Sequence, residues 1–101
     1  MAVHKISVTV DEGTIRVDPD ELHMTRQDEV HWEGTNPRKF SIQFEGKSPF
    51  QPLRLEHTAA ARRLRPERQG IFKYSVISEE DPRLKLDPVI VVEEPPTDPN
   101  P

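Results

Sequence analysis

The chain has 101 residues, the length of one domain, and its 33% hydrophobic content with four glycines lies below the roughly 45–50% of typical globular chains. The hydrophobic core must therefore be small. The absence of cysteine excludes disulfides, thiolate nucleophiles, zinc–thiolate sites and type-1 copper sites. No stretch approaches the roughly 20 consecutive apolar residues of a membrane-spanning helix, so we expect a soluble protein with no membrane partner.

The net charge of -4 is distributed in three blocks. Residues 1–45 carry five basic and nine acidic side chains, residues 46–69 carry six and two, and residues 70–101 carry three and seven. The basic central block can attract an anionic partner or pair with acidic neighbours of its own domain. Because the whole chain is acidic, we favour the second interpretation and expect no general affinity for nucleic acid.

Alternation of apolar and polar side chains, the period of a half-buried strand, occurs in five segments. These segments are residues 3–10, 14–17, 21–25, 29–33 and 40–45. Residues 70–78 and 88–93 are richer in β-branched and aromatic side chains, which predicts central strands covered on both faces. Turn residues separate the segments, so the pattern predicts an all-β fold, a two-sheet antiparallel Greek-key β-sandwich of about seven or eight strands.

Helical spacing is visible only in residues 58–64, where Thr58 can cap a short helix that Pro66 stops. After Glu93 the chain has no apolar anchor. We therefore expect one domain over residues 1–93 and a disordered, acidic, proline-rich tail over residues 94–101.

Four segments, in this order, resemble the cupredoxins, the plastocyanin-like and azurin-like β-sandwiches. They are residues 19–24, 28–32 (Asp-Glu-Val-His-Trp), 40–44 (Phe-Ser-Ile-Gln-Phe) and 70–76 (Gly-Ile-Phe-Lys-Tyr-Ser-Val) running into 87–92. In that family the strand that matches residues 40–44 opens with a copper-binding His, and the strand that matches residues 70–76 ends with the copper-binding Cys. The resemblance covers nearly all of residues 3–92 and implies the cupredoxin β-sandwich.

The chain departs from the family at the copper ligands. Phe40 stands where the resemblance places the first His, and Val76 where it places the Cys. Residues 78–85, the loop that would supply the second His and the axial Met, contain neither. Type-1 copper needs a trigonal His, His, Cys set, so we expect no cofactor and no electron-transfer function. Phe40 and Val76 are predicted to fill this end of the sandwich with hydrocarbon.

Two other metal sites are conceivable. Once Met1 is removed, Ala2, Val3 and His4 offer a free amine, two amides and an imidazole that can surround Cu(II) or Ni(II) in a square plane. Surface histidines give a second possibility. His23 and His31 alternate with apolar residues and so point outward, from strands expected in different sheets, which argues against their convergence.

The sequence contains no hydrolase, zinc-protease, phosphate-loop or dinucleotide motif, so we expect a non-enzyme that binds another protein. The predicted interaction surface combines Phe50 with the arginine-rich segment: Arg62, Arg63, Arg65 and Arg68. Phe50 is alternatively a lid over the core. A metal-handling protein and an anion or nucleic-acid binder are the alternative functions. We expect a cytoplasmic location, or a periplasmic one if a leader has been removed.

Overall fold

The computed structural model describes residues 2–94, so Met1 and all of the predicted tail (residues 94–101) except its first residue lie outside the described residues. Within residues 2–94, nine strands and one short helix follow one another along the chain. They are β1 (Val3–Asp11), β2 (Thr14–Asp18), β3 (Glu21–Thr25), β4 (Glu29–Gly34), β5 (Phe40–Phe44), β6 (Arg54–Glu56), α1 (His57–Ala60), β7 (Gly70–Ser78), β8 (Lys85–Leu86) and β9 (Val89–Glu93).

The strands form two sheets. A small sheet has the order β2-β1-β4, and a large sheet has the order β3-β9-β7-β5-β6, with β8 paired to β7. The chain crosses between the sheets after β2, β3 and β4. The all-β sandwich prediction is thus confirmed.

The purely antiparallel arrangement predicted from the sequence is wrong in two places. Strand β1 pairs with β4 in parallel, and β3 pairs with β9 in parallel. The reason is topological, because parallel neighbours need a crossover connection and these strands are joined through elements of the other sheet. The strand count is also higher than the predicted seven or eight, since β6 and β8 are too short to show a periodic pattern.

Aromatic side chains from both sheets meet in the core. Trp32 of β4 donates its indole N–H to the Tyr74 hydroxyl of β7 over 3.3 Å, and the two rings meet edge to face. Phe50 packs edge to face against both Trp32 and Phe44. Burial raises the pKa of the Tyr74 phenol above its usual range, so this hydroxyl stays neutral and available to the indole.

The central strands of the large sheet are covered on one face only. Residues of β7 alternate between buried and accessible positions, and Ile71 is 65% exposed. On β9, Val89 and Val91 are half-buried, while Ile90 and Val92 lie in the core. The prediction that both strands are covered on both faces is therefore wrong, because no element of the described chain packs over their outer face.

The predicted helix exists but is shorter and begins earlier. It spans His57–Ala60 with Glu56 at its N-cap, so Thr58 lies inside it. Leu64 is not helical because it pairs with the β4 residue Val30 through two backbone hydrogen bonds of 2.8 and 2.9 Å. No helix of the described residues has the length and apolar character needed to cross a membrane.

Candidate functional site

The positions that match the family's copper ligands lie inside the hydrophobic core. Phe40 is 3% exposed at the start of β5 and Val76 is fully buried on β7. Ladder pairing sets Phe40 opposite Ser78 and Val76 opposite Ile42, so Phe40 and Val76 are diagonal neighbours on the inner face of the large sheet. The predicted burial of both side chains is confirmed.

This end of the sandwich offers copper no suitable ligand set. The side chains of Phe40 and Val76 have no lone pair to donate. Two backbone hydrogen bonds of 3.1 Å hold the start of the following loop in place. The Ser78 amide donates to the Leu84 carbonyl within the loop, and the Glu79 amide donates to the Lys39 carbonyl before β5. Within residues 2–94, no group of three or more His, Cys, Asp or Glu side chains converges as a metal site would require.

The amino-terminal residues are held in an extended conformation by Asp28. Its carboxylate accepts a 2.9 Å hydrogen bond from the Ala2 amide and lies 3.2 Å from Nε2 of His4. Val3 is paired with Glu29 in the parallel ladder. Burial disfavours the Asp28 carboxylate, but the amides of Thr25 and Ala2 outweigh that effect and hold its pKa below the usual range. A square-planar Cu(II) site on Ala2, Val3 and His4 would have to break this arrangement.

The surface histidines are not brought together. His23 lies on β3 of the large sheet and His31 on β4 of the small sheet, as their sequence pattern predicts. His23 is bracketed by two carboxylates, Glu21 at 2.8 Å and Glu93 at 2.9 Å. The hydrogen bond to Glu21, followed by the one to Glu93, raises the pKa of the His23 imidazole above its ordinary value.

Only the arginines of the predicted interaction surface are exposed, because Phe50 is buried. All four arginines of residues 62–68 are exposed, on a segment that Leu64 joins to the edge of β4. Phe50 is 7% exposed and packs in the core, so its interpretation as a surface anchor is wrong and its lid role remains. The Phe50 amide is bonded to the Ser48 hydroxyl, and Gln51 has a positive φ of 82°. We name the exposed segment of residues 62–68 the basic edge.

A second surface, which the sequence analysis missed, lies on the outer face of the large sheet. Ile71 of β7 is directly opposite Val91 of β9, and Lys73 is opposite Val89. On the other side of β9, strand β3 places Glu21 opposite Val89. Because residues of one parity share one face of a sheet, these side chains form a continuous patch. We name this patch the open face.

The open face forms a shallow groove with an apolar floor and an acidic rim. Its volume is about 580 Å³. Its lining residues are Glu21, Glu45, Ile71, Lys73, Asp87, Val89 and Val91. Three carboxylates thus face one ammonium group around three aliphatic side chains. The high apolar content of residues 70–78 and 88–93 is the sequence signal for this patch, although the sequence alone suggests that the cover comes from the same domain.

Two solved structures superimpose on this fold. A pseudoazurin from Sinorhizobium meliloti superimposes with a TM-score of 0.64 at 15% identity, over 94% of this chain and 76% of the pseudoazurin. A point mutant of amicyanin, in its reduced Cu(I) form at pH 4, gives a TM-score of 0.53 at 17% identity, over 87% of this chain and 81% of the amicyanin.

These likenesses establish the fold class: the chain is a cupredoxin-like β-sandwich that lacks the type-1 copper ligands. No protein-family profile matches the sequence. No curated protein matches it either.

Proposed function

We propose that this protein is a non-catalytic, copper-free cupredoxin-like module that binds another protein through the open face. The observation that carries the proposal is Ile71, a large aliphatic side chain left 65% exposed on a central strand, next to the half-buried Val89 and Val91. Isolated exposed apolar side chains are common, whereas a contiguous patch with a polar rim is typical of an interaction site.

The energetics favour a protein partner for this patch. Complete burial of one Ile or Val side chain contributes roughly 1.5–3 kcal/mol, so a partner that covers all three gains several kcal/mol of hydrophobic stabilisation. Part of this gain is offset by the lost freedom of association. The polar rim keeps the unbound protein hydrated and sets the orientation of the complex.

The metal-handling alternative has less support. A metal ion would have to compete with existing contacts for the imidazole nitrogens. Nε2 of His4 contacts Asp28, and the two ring nitrogens of His23 contact Glu93 and Glu21. The basic edge is better suited to a second contact region, where exposed arginines assist an interaction that the apolar patch anchors.

Site-specific photocrosslinking tests the proposal. A photoreactive phenylalanine replaces Ile71 in one variant, and in the control it replaces Glu12, which is exposed in the β1–β2 turn. After irradiation in the source organism, we expect the position-71 variant to yield a discrete crosslinked protein that the position-12 variant does not yield.

A further substitution makes the result specific for the surface. Val91→Glu places a charge on the floor of the open face and should abolish the position-71 crosslink while the fold is retained, as circular dichroism can establish. Crosslinks of equal yield from both positions, or none from position 71, would refute the open face as a binding site.

A further inference from the structure

We propose that the occupant of the open face is a peptide segment of a partner protein in which a large apolar side chain is flanked by lysines or arginines. This inference rests on the proposed function and specifies the chemistry of the partner. It is carried by two features of the groove, an apolar floor and a rim in which carboxylates outnumber ammonium groups.

The floor selects for an apolar anchor. Ile71 and Val91 are direct cross-strand neighbours, and Val89 lies two residues along β9 on the same face. A volume of about 580 Å³ falls within the roughly 300–1,000 Å³ range of pockets that enclose drug-sized ligands, and it can therefore receive a few side chains. The groove is open along the sheet surface, which suits a segment of chain better than a small molecule.

The rim selects for positive charge. Glu21, Glu45 and Asp87 line the groove, and Lys73 is the only cation among the lining residues. The rim carboxylates are exposed, and two of them already have neighbours: Glu21 lies 2.8 Å from Nε2 of His23, and Asp87 accepts a 3.1 Å hydrogen bond from the Ser75 hydroxyl. A bound cation would share these carboxylates with those neighbours at the protein surface, where the desolvation cost is small. Complementary charge at a rim steers the encounter and rejects acidic competitors by like-charge repulsion.

Charge or the lack of an apolar anchor argues against three other occupants. A symmetric dimer through this surface would oppose one acidic rim to another. A head-to-tail contact with the basic edge of a second copy would supply arginines but no anchor, since Leu64 is held against β4 and Pro66 is buried. Residues 94–101 carry only Glu94 and Asp98 as ionisable side chains, so this segment has the wrong sign for the acidic rim.

A displayed library of random twelve-residue peptides tests the inference directly. The library is selected on the full chain and depleted on Ile71→Glu. We expect the enriched peptides to contain a large apolar residue with lysine or arginine within a few positions. The best peptide is then labelled, and its affinity is measured by fluorescence anisotropy at low and moderate salt.

Matched charge variants identify the groups responsible. Removal of three rim charges, in Glu21→Gln/Glu45→Gln/Asp87→Asn, should weaken binding at least tenfold and flatten its salt dependence. The control Glu12→Gln/Glu33→Gln/Glu80→Gln removes the same number of exposed charges outside the open face and the basic edge, and it should change the affinity less than twofold.

Each alternative has its own signature in these measurements. Enriched peptides that are neutral or acidic, or an affinity indifferent to the rim variants, would overturn the basic-partner inference while leaving a protein-binding face intact. Concentration-dependent self-association in sedimentation velocity that Ile71→Glu abolishes would assign the surface to a second copy instead. Failure of both this selection and the photocrosslinking would reject the proposed function itself.

Discussion

Phe40 occupies the position at which the cupredoxin resemblance places a metal ligand, and its ring is buried. The resemblance implies that the second His and the axial Met would come from the loop after β7. Here dispersion and hydrophobic burial contribute to the stability of the same region, through Phe40 and Val76. The fold can therefore keep its closed end without a metal ion.

Removal of the Phe40 side chain should test how much this packing contributes. We expect Phe40→Ala to lower the free energy of unfolding by about 3–5 kcal/mol, because it leaves a cavity in a packed core. Urea denaturation gives the value. The control Ile71→Ala shortens an exposed side chain of the same sheet and should cost no more than about 1 kcal/mol. A loss below about 1 kcal/mol for Phe40→Ala would contradict the packing role.

His23 gives the protein a pH-dependent surface contact. Because Glu21 and Glu93 raise its pKa in the folded state, the contact stabilises the fold below the unfolded-state pKa of about 6.5 and is lost as the pH rises through the raised value. We therefore expect His23→Gln to destabilise the protein more near about pH 5.5 than near about pH 9.

An NMR titration of the imidazole checks the cause of this dependence. The pKa of His23 should lie above the ordinary histidine value in the wild type and fall toward it in Glu21→Gln/Glu93→Gln. An unchanged titration midpoint in the double variant would show that the two carboxylates are not responsible.

At the scale of elements, local patterns in the sequence locate the strands but not their partners. Alternation identifies β1 and β2 because one face of each is buried. It carries no information on the parallel pairing of β1 with β4, since that depends on contacts between distant residues. The sequence leaves Phe50 open between a lid over the core and a surface anchor, and the positive φ of Gln51, the next residue, has no clear sequence signal.

The segment after α1 should behave as part of the small sheet although it lies outside the named strands. Leu64 and Val30 exchange both backbone hydrogen bonds. We expect the Leu64 amide to be protected in hydrogen exchange to a degree similar to Val30, and the adjacent Arg63 amide to exchange faster. Rapid exchange at Leu64 would mean that the basic edge is not fixed to β4.

At the scale of the whole molecule, basic and acidic side chains are concentrated on separate surfaces. The basic edge and the acidic rim of the open face belong to different parts of one chain whose net charge is -4. The sequence reveals this division, because the three charge blocks can be counted. It does not reveal which acidic residues share a surface, since Glu21, Glu45 and Asp87 meet only through the pairing of four strands.

Phosphocellulose chromatography distinguishes a local basic edge from a true anion-binding function. We expect the protein to pass through the column at about 0.1 M salt, because its net charge is -4 and the salt weakens the attraction of the exposed arginines to the matrix. Retention that Arg62→Ser/Arg63→Ser/Arg65→Ser abolishes would instead support the anion or nucleic-acid alternative.

The position of β9 in the large sheet has a consequence during synthesis. This strand lies between β3 and β7, although the ribosome makes it after the other eight strands of residues 2–94. A nascent chain that ends before Val89 leaves the inner sides of Leu22 and Phe72 without their neighbour Ile90. The contacts that join β3 and β7 through β9 can therefore form only after β9 has been synthesised.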